Sequence, residues 1–298
     1  MSLERERSVQ YSEIFNSIEG EARYTGVPTA YVRFAKCNFT CTGFNNPEKL
    51  EITNEVLGFN PADYTDLNDL PVITRGCDSI YSWDNRFKHL WKKRTITQIA
   101  EELLSVIPCG SWIHPKTKQR TILSLTGGEP TLNQRIIPDL LNHALLSDVQ
   151  IVLIETNCSI QLSIDFIDAL NVWTNGAPGR KIVWSNSPKL SVSGEPWDKA
   201  IVPSVAAQQR LVKNSEQYFK FVCDDSDESF AEVERAMEEY HTRGNIPEED
   251  QQIYIMPVGA LDYQQVSIEK QVAIKCLERG MVFCPRAHVY VFGNQVGT

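Results

Sequence analysis

Apolar positions along this chain recur with two different periods. Five short runs, at 121–125, 150–154, 181–184, 218–222 and 252–256, are apolar, rich in β-branched or aromatic residues, and of strand length. Between them the spacing changes to that of helices. Ile96, Ile99, Ala100, Leu103, Leu104 and Ile107 follow the i, i+3, i+4, i+7 series, and Pro108 ends it. Ile136, Ile137, Leu140, Leu141, Ala144 and Leu145 predict a second helix over 136–145. Phe230, Val233, Met237 and Tyr240 predict a third, preceded by acidic residues at 224–228 that suit a helix N-terminus. Val266, Val272, Ala273, Cys276 and Leu277 predict a last helix ending at Gly280. Strands alternating with helices imply an α/β fold of parallel βα units, as a barrel or an open sheet. In either, ligands gather at the carboxyl ends of the strands. The stretch 42–76 breaks the rhythm and reads as a long loop inserted into a single domain spanning 1–298.

Composition narrows the function classes. Of 298 residues, 29 are Lys or Arg and 38 Asp or Glu, giving a formal charge of −9. That balance predicts no nucleic-acid partner and no attraction to anionic membranes. Lys88, Lys92, Lys93 and Arg94 cluster locally and read as a solvated face. No run approaches the ~18 apolar residues of a membrane span, and no apolar stretch follows the start, so a cytoplasmic protein is expected. In that reducing setting the eight cysteines point to metal or catalysis rather than cross-links.

Phosphate-loop, His-Glu-x-x-His and nucleophile-elbow signatures are absent. Cys37-Asn-Phe-Thr-Cys41, with Cys77 further on, offers three soft thiolates able to hold zinc or an iron–sulfur cluster. By itself the C-x3-C spacing is a weak signal and fits packed cysteines better than ligands. Thr126-Gly127-Gly128-Glu129-Pro130 follows a predicted strand; its glycines permit close approach of a ligand, and Glu129 can accept hydrogen bonds from an ammonium group. The same residues would also serve as a tight βα turn.

Together these two motifs resemble the radical S-adenosylmethionine superfamily. The segments Glu13-Ile14-Phe15-Asn16-Ser17-Ile18-Glu19-Gly20-Glu21, Thr25-Gly26-Val27-Pro28 and Val32-Arg33-Phe34-Ala35-Lys36-Cys37-Asn38 look like the 7-carboxy-7-deazaguanine synthase family within it. Cys77-Asp78-Ser79, Glu155-Thr156-Asn157, Ser187-Pro188-Lys189 and Met256-Pro257-Val258-Gly259 extend the ordered match. The resemblance implies an incomplete (β/α)6-type barrel, working as a homodimer. It implies a [4Fe-4S] cluster on Cys37, Cys41 and Cys77, and Mg²⁺ on Ser79. S-adenosylmethionine would lie against Gly128, Glu129, Glu155, Ser187, Pro188, Lys189, Met256, Pro257, Val258 and Gly259. The pterin substrate would meet Ile18, Glu19, Gly20, Arg33 and Thr126. The reaction implied is ring contraction of 6-carboxy-5,6,7,8-tetrahydropterin to 7-carboxy-7-deazaguanine with loss of ammonia, in queuosine or other 7-deazapurine synthesis. An electron donor such as flavodoxin or ferredoxin is a further expected partner. Arg33 makes independent sense, because its planar fork pairs with a carboxylate in two-pronged fashion.

Two departures stand out. The family's last two cluster cysteines are usually two residues apart, whereas 42–76 intervenes here and Phe44 stands at the compact motif's third position. Glu19 replaces the usual Gln, removing an amide donor. Two rival readings remain: an activase of a glycyl-radical enzyme, against which 18–21 and Arg33 argue, and a noncatalytic zinc-binding protein.

Overall fold

In a computed structural model of the chain, which describes residues 6–46, 48–248 and 252–298, the five predicted runs form neighbouring parallel strands. Residues 1–5 of the expected domain and Pro47 of the 42–76 stretch lie outside the described residues. In chain order the strands are β1 (Ser8–Ile18), β2 (Pro28–Phe34), β3 (Lys92–Thr95), β4 (Ile122–Gly127), β5 (Ile151–Thr156), β6 (Lys181–Asn186), β7 (Ser215–Cys223), β8 (Ile253–Pro257) and β9 (Val282–Phe283). They make one sheet in the order β3-β1-β2-β4-β5-β6-β7-β8-β9, parallel from β2 to β9 and antiparallel at the β3-β1-β2 edge. The helices are α1 (Asn54–Leu57), α2 (Ile96–Val106), α3 (Ile137–Leu141), α4 (Ile164–Asn175), α5 (Trp197–Ala200), α6 (Pro203–Gln209), α7 (Asp227–Gly244), α8 (Asp262–Arg279) and α9 (Ala287–Phe292).

Local chemistry sets the helix ends. Thr95 and Gln98 exchange hydrogen bonds as a capping box at the start of α2. Ser226 caps α7, whose first turn carries Asp227 and Glu228 and whose last carries His241 and Arg243, matching the helix dipole. Gly280 closes α8 in the left-handed conformation at φ +67°. The helix predicted over 136–145 is shorter: α3 ends at Leu141, and a separate 3-10 turn, Ala144–Leu146, follows, its start capped by the His143 ring. Helix α4 was not predicted, although Phe166, Ile167, Leu170, Trp173 and Thr174 bury one face at helical spacing after the cap Ser163.

The sheet is strongly curled. Lys220 on β7 reaches Glu21, just past β1, at 2.6 Å. Five strand spacings separate β1 from β7 in the sheet, about 24 Å if it were flat. Alternation within the strands then sorts residues by face. Leu125, Ile154 and Trp184 point outward into one core with α2 and α4, while Phe219, Phe221 and Ile255 join a second with α7 and α8. On the concave face Ile122, Leu153, Val183 and Tyr218 form an apolar floor, sealed by Ala22, Tyr24 and Val27 from the β1–β2 turn.

The stretch 42–76 is not a plain loop. It contains α1 and two 3-10 turns, and Ile52, Leu67, Leu70 and Ile73 pack with Ile80, Tyr81, Phe87 and Leu90 in a small core of their own. Its ends meet: Gly76 donates its N–H to the Phe44 carbonyl at 2.7 Å.

Candidate functional site

Above the apolar floor, the next inward positions of the same strands are polar. Thr126 on β4, Glu155 on β5 and Lys220 on β7 line one cavity, and so do Tyr31 and Arg33 on β2 and the β8 end from Met256 to Gly259. An alternating strand that must seal a floor at one position places its next inward residue one step higher, where the cavity opens.

The three cysteines line the end of this cavity beyond β2. Cys37 and Cys41 stand on the loop after β2, Cys41 at φ +46°. Cys77 returns beside Phe44, because the 42–76 excursion closes on itself there. All three are free thiols. Burial pushes each upward, Cys37 to about 12, while the Lys189 ammonium draws all three down. Among the described residues no three His, Cys, Asp or Glu side chains converge where a single metal ion could sit. A cubane presents its irons at different corners, so its thiolates need not converge on one point. N–H donors face the Cys37 sulfur: Phe39 N lies 3.4 Å and Asn157 Nδ2 4.0 Å from it. Three thiols with such donors and a nearby cation suit an anionic cluster.

The glycine pair ties this loop to β4. A Cβ on Gly127 would lie 2.2 Å from the Phe34 carbonyl oxygen, and one on Gly128 2.1 Å from that of Lys36. Gly128 N and Glu129 N donate to those two carbonyls. The close approach these glycines allow is therefore that of the Phe34–Lys36 backbone, which sets the position of Cys37. Glu129 also departs from expectation. Its buried carboxylate accepts from Thr131 N, Thr131 Oγ1 and Thr156 Oγ1 and from Asn157 N. It clasps the end of β4 to the end of β5 and does not line the cavity.

Arg33 is already partly engaged. Its Nε pairs with Glu13 Oε1 at 2.5 Å and Nη1 donates to Ser79 Oγ at 3.2 Å, with the guanidinium between the Phe15 and Tyr81 rings. Nη2 and the second Nη1 proton remain for a ligand. Deeper in, Lys220 pairs with Glu21 at 2.6 Å and approaches Glu155 at 3.7 Å, and Arg286 bridges Glu21 at 3.1 Å to Asp78 at 2.6 Å. Burial works against ionisation of Glu21, but Lys220 and Arg286 outweigh it and hold its carboxyl well below the usual range. Burial, then Arg286, push His288 down to about 4, so its imidazole is neutral. That ring rests on Gly20, where a Cβ would collide with it.

Against known proteins, no family model matches the chain. It is 24% identical to a 7-carboxy-7-deazaguanine synthase of Rhodopirellula baltica, over 98% of this chain and 90% of that one. A second, from Halobacterium salinarum, is 22% identical over 95% of this chain and 90% of its own length. A third, from Haemophilus influenzae, is 29% identical over about half of each chain. This chain resembles the 7-carboxy-7-deazaguanine synthases. The crystal structure of QueE from Escherichia coli shares the fold at a TM-score of 0.51 and 15% identity, over 94% of this chain and 95% of the other.

With the synthase resemblance in place, every residue assigned from sequence lines the one cavity except Glu129 and Pro188. Ile18, Glu19, Gly20, Arg33 and Thr126 lie within it, as do Gly128, Glu155, Ser187, Lys189 and Met256 to Gly259, with Cys37, Cys41, Cys77 and Ser79. Sequence reasoning assigned no role to Glu13, Glu21, Asp78, Lys220, Arg286 or His288. Lys220 carried a signal, a lone cation inside the apolar run Tyr218-Phe219-Lys220-Phe221-Val222. The others became visible only as partners.

Proposed function

We propose that the chain is a 7-carboxy-7-deazaguanine synthase, a carbon–nitrogen lyase that converts 6-carboxy-5,6,7,8-tetrahydropterin to 7-carboxy-7-deazaguanine with loss of ammonia. The observation that carries this reading is the meeting, in one cavity, of Cys37, Cys41 and Cys77 with Arg33 and the Gly127–Gly128 turn. We read the curled sheet as the incomplete (β/α)6-type barrel, and 42–76 as an insertion between the second and third cluster ligands.

Cys37, Cys41 and Cys77 would hold a [4Fe-4S] cluster, displacing their protons as iron binds. The chemistry that such a cluster and S-adenosylmethionine supply when bound is one-electron cleavage to a carbon radical that takes hydrogen from the substrate. The chain's own residues position and exclude. Gly128, Glu155, Ser187, Lys189 and 256–259 would line the place of S-adenosylmethionine, and Glu129 with Pro188 would shape that wall from behind. The free end of Arg33 would grip the pterin carboxylate, with Glu13 and Ser79 fixing its plane. Ser79 Oγ would give Mg²⁺ an oxygen beside Asp78. The apolar floor keeps water from below the reacting carbons. A homodimer in the cytoplasm, reduced by a flavodoxin or ferredoxin, completes the proposal.

The test is anaerobic reconstitution with iron and sulfide, then incubation with S-adenosylmethionine, reductant and the pterin. Formation of 7-carboxy-7-deazaguanine is expected. 5′-Deoxyadenosine without deazaguanine would overturn the substrate, and zinc with no iron would overturn the cluster. Cys77→Ala should lose iron whereas Phe44→Ala retains it; the reverse would remove Cys77 from the ligand set.

A further inference from the structure

Three carboxylates, Glu19, Glu21 and Glu155, crowd the inner end of the cavity, and the cations there are spoken for. Lys220 pairs with Glu21 and approaches Glu155, and Arg286 pairs with Glu21 and Asp78. Among the described residues no cation forms a hydrogen bond or ion pair with Glu19, which is only 2% exposed. Its neighbours are Tyr31 from β2, Glu155 from β5, Tyr218 and Lys220 from β7, Glu21 on the same turn and Cys284 from the C-terminal segment.

Neutral donors reach the Glu19 carboxyl, one of them the Tyr31 hydroxyl. It lies 3.2 Å from the Ile18 carbonyl and 3.1 Å from Glu19 Oε2. It donates towards both, so its single proton is shared between a backbone carbonyl and the Glu19 carboxyl. No cation adds an ion pair to these contacts among the described residues, so the buried Glu19 carboxyl faces the Glu155 and Glu21 charges with neutral donors alone. Glu19 Oε1 meanwhile accepts from Glu21 N at 3.2 Å, as a carboxylic acid carbonyl can.

We infer that Glu19 is held as an un-ionised acid, a hydrogen-bonding counterpart of a carboxamide that fixes Tyr31 and lets a ligand bearing its own carboxylate enter a cavity already rich in carboxylates. The ligand clause rests on the synthase reading; the protonation does not. Burial first, and then the Glu155 charge, push the Glu19 carboxyl up to about 8.

The experiment compares wild type with Glu19→Gln as the pH is raised. A group with a raised folded-state pKa contributes stability that is complete below the ordinary carboxylate range and lost as the pH rises through the folded value. The Tm of wild type should therefore fall relative to Glu19→Gln by roughly 5–10 °C between pH 5 and 8.5. The infrared carbonyl band of an un-ionised acid should be present in wild type at pH 6.5, absent from the variant, and lost in wild type above pH 9. In the reconstituted enzyme the wild-type pterin KM should rise about tenfold from pH 7 to 9, with no such rise in the variant. A flat Tm difference without the acid band would overturn the protonation, and an unchanged KM ratio would overturn the role in admitting the ligand. Absence of any pterin turnover, with both physical signatures intact, would overturn the synthase reading and leave the protonated Glu19 standing.

Discussion

Lys220 is the residue on which the charge balance of the cavity turns. Its side chain is 3% exposed, and it pairs with Glu21 and approaches Glu155. Removing one partner of a buried pair strands the other, so Lys220→Met should cost about 3–5 kcal/mol in denaturant unfolding at pH 7. The sign of the pH dependence follows from Glu21, held low despite its burial by Lys220 and Arg286. Its stabilisation is present above the ordinary carboxylate range and is lost as the pH falls through that range towards the folded value. Wild type should thus lose more stability than Lys220→Met between pH 6 and 3, and the gap between them should narrow. At this scale the sequence displayed which residues carry chemistry but not their pairings. Arg33 was legible as a carboxylate ligand, yet Glu13 lies across a hairpin and Ser79 comes from beyond the 42–76 stretch, and together they claim half of its fork.

The element that positions the cysteines is the β4 turn. Gly127 and Gly128 were legible as a place of close approach, but the approaching group is the chain itself at Phe34–Lys36. Gly128→Ala would press a methyl group onto the Lys36 carbonyl and should cost about 2–3 kcal/mol. The same shift moves the Cys37 loop, so the variant should bind less iron on reconstitution than wild type, which iron analysis reads directly. The parallel strands were visible because each carries a dense apolar run. Strand β1 was not, since its burial alternates irregularly around the bulge between Tyr11 and Glu13. The predicted continuation of α3 failed because spacing alone does not report the break after Leu141.

For the whole molecule, the 42–76 stretch determines whether three cysteines so far apart in sequence share one cavity. Its small core, with Phe87 fully buried, anchors the segment that carries Cys77. Phe87→Ala should cost about 3–5 kcal/mol and weaken iron retention although Phe87 lies apart from the cysteine end of the cavity. Iron content and unfolding midpoint measured together would test that link; full iron with lowered stability would refute it. The C-terminal segment acts at the same scale, since Arg286 and His288 close the cavity against Glu21 and Gly20.

The sequence by itself determined the parallel α/β arrangement, the five central strands, and the set of side chains able to carry the chemistry. Those follow from periodicity and residue type, which are local properties of the chain. Only the tertiary structure decided that the sheet curls until Lys220 meets Glu21, that Glu129 turns away from the cavity, and that Glu19 has no ion pair among the described residues. Pairing and burial depend on contacts between residues distant in sequence, and these set both the charge state and the reach of every group in the site.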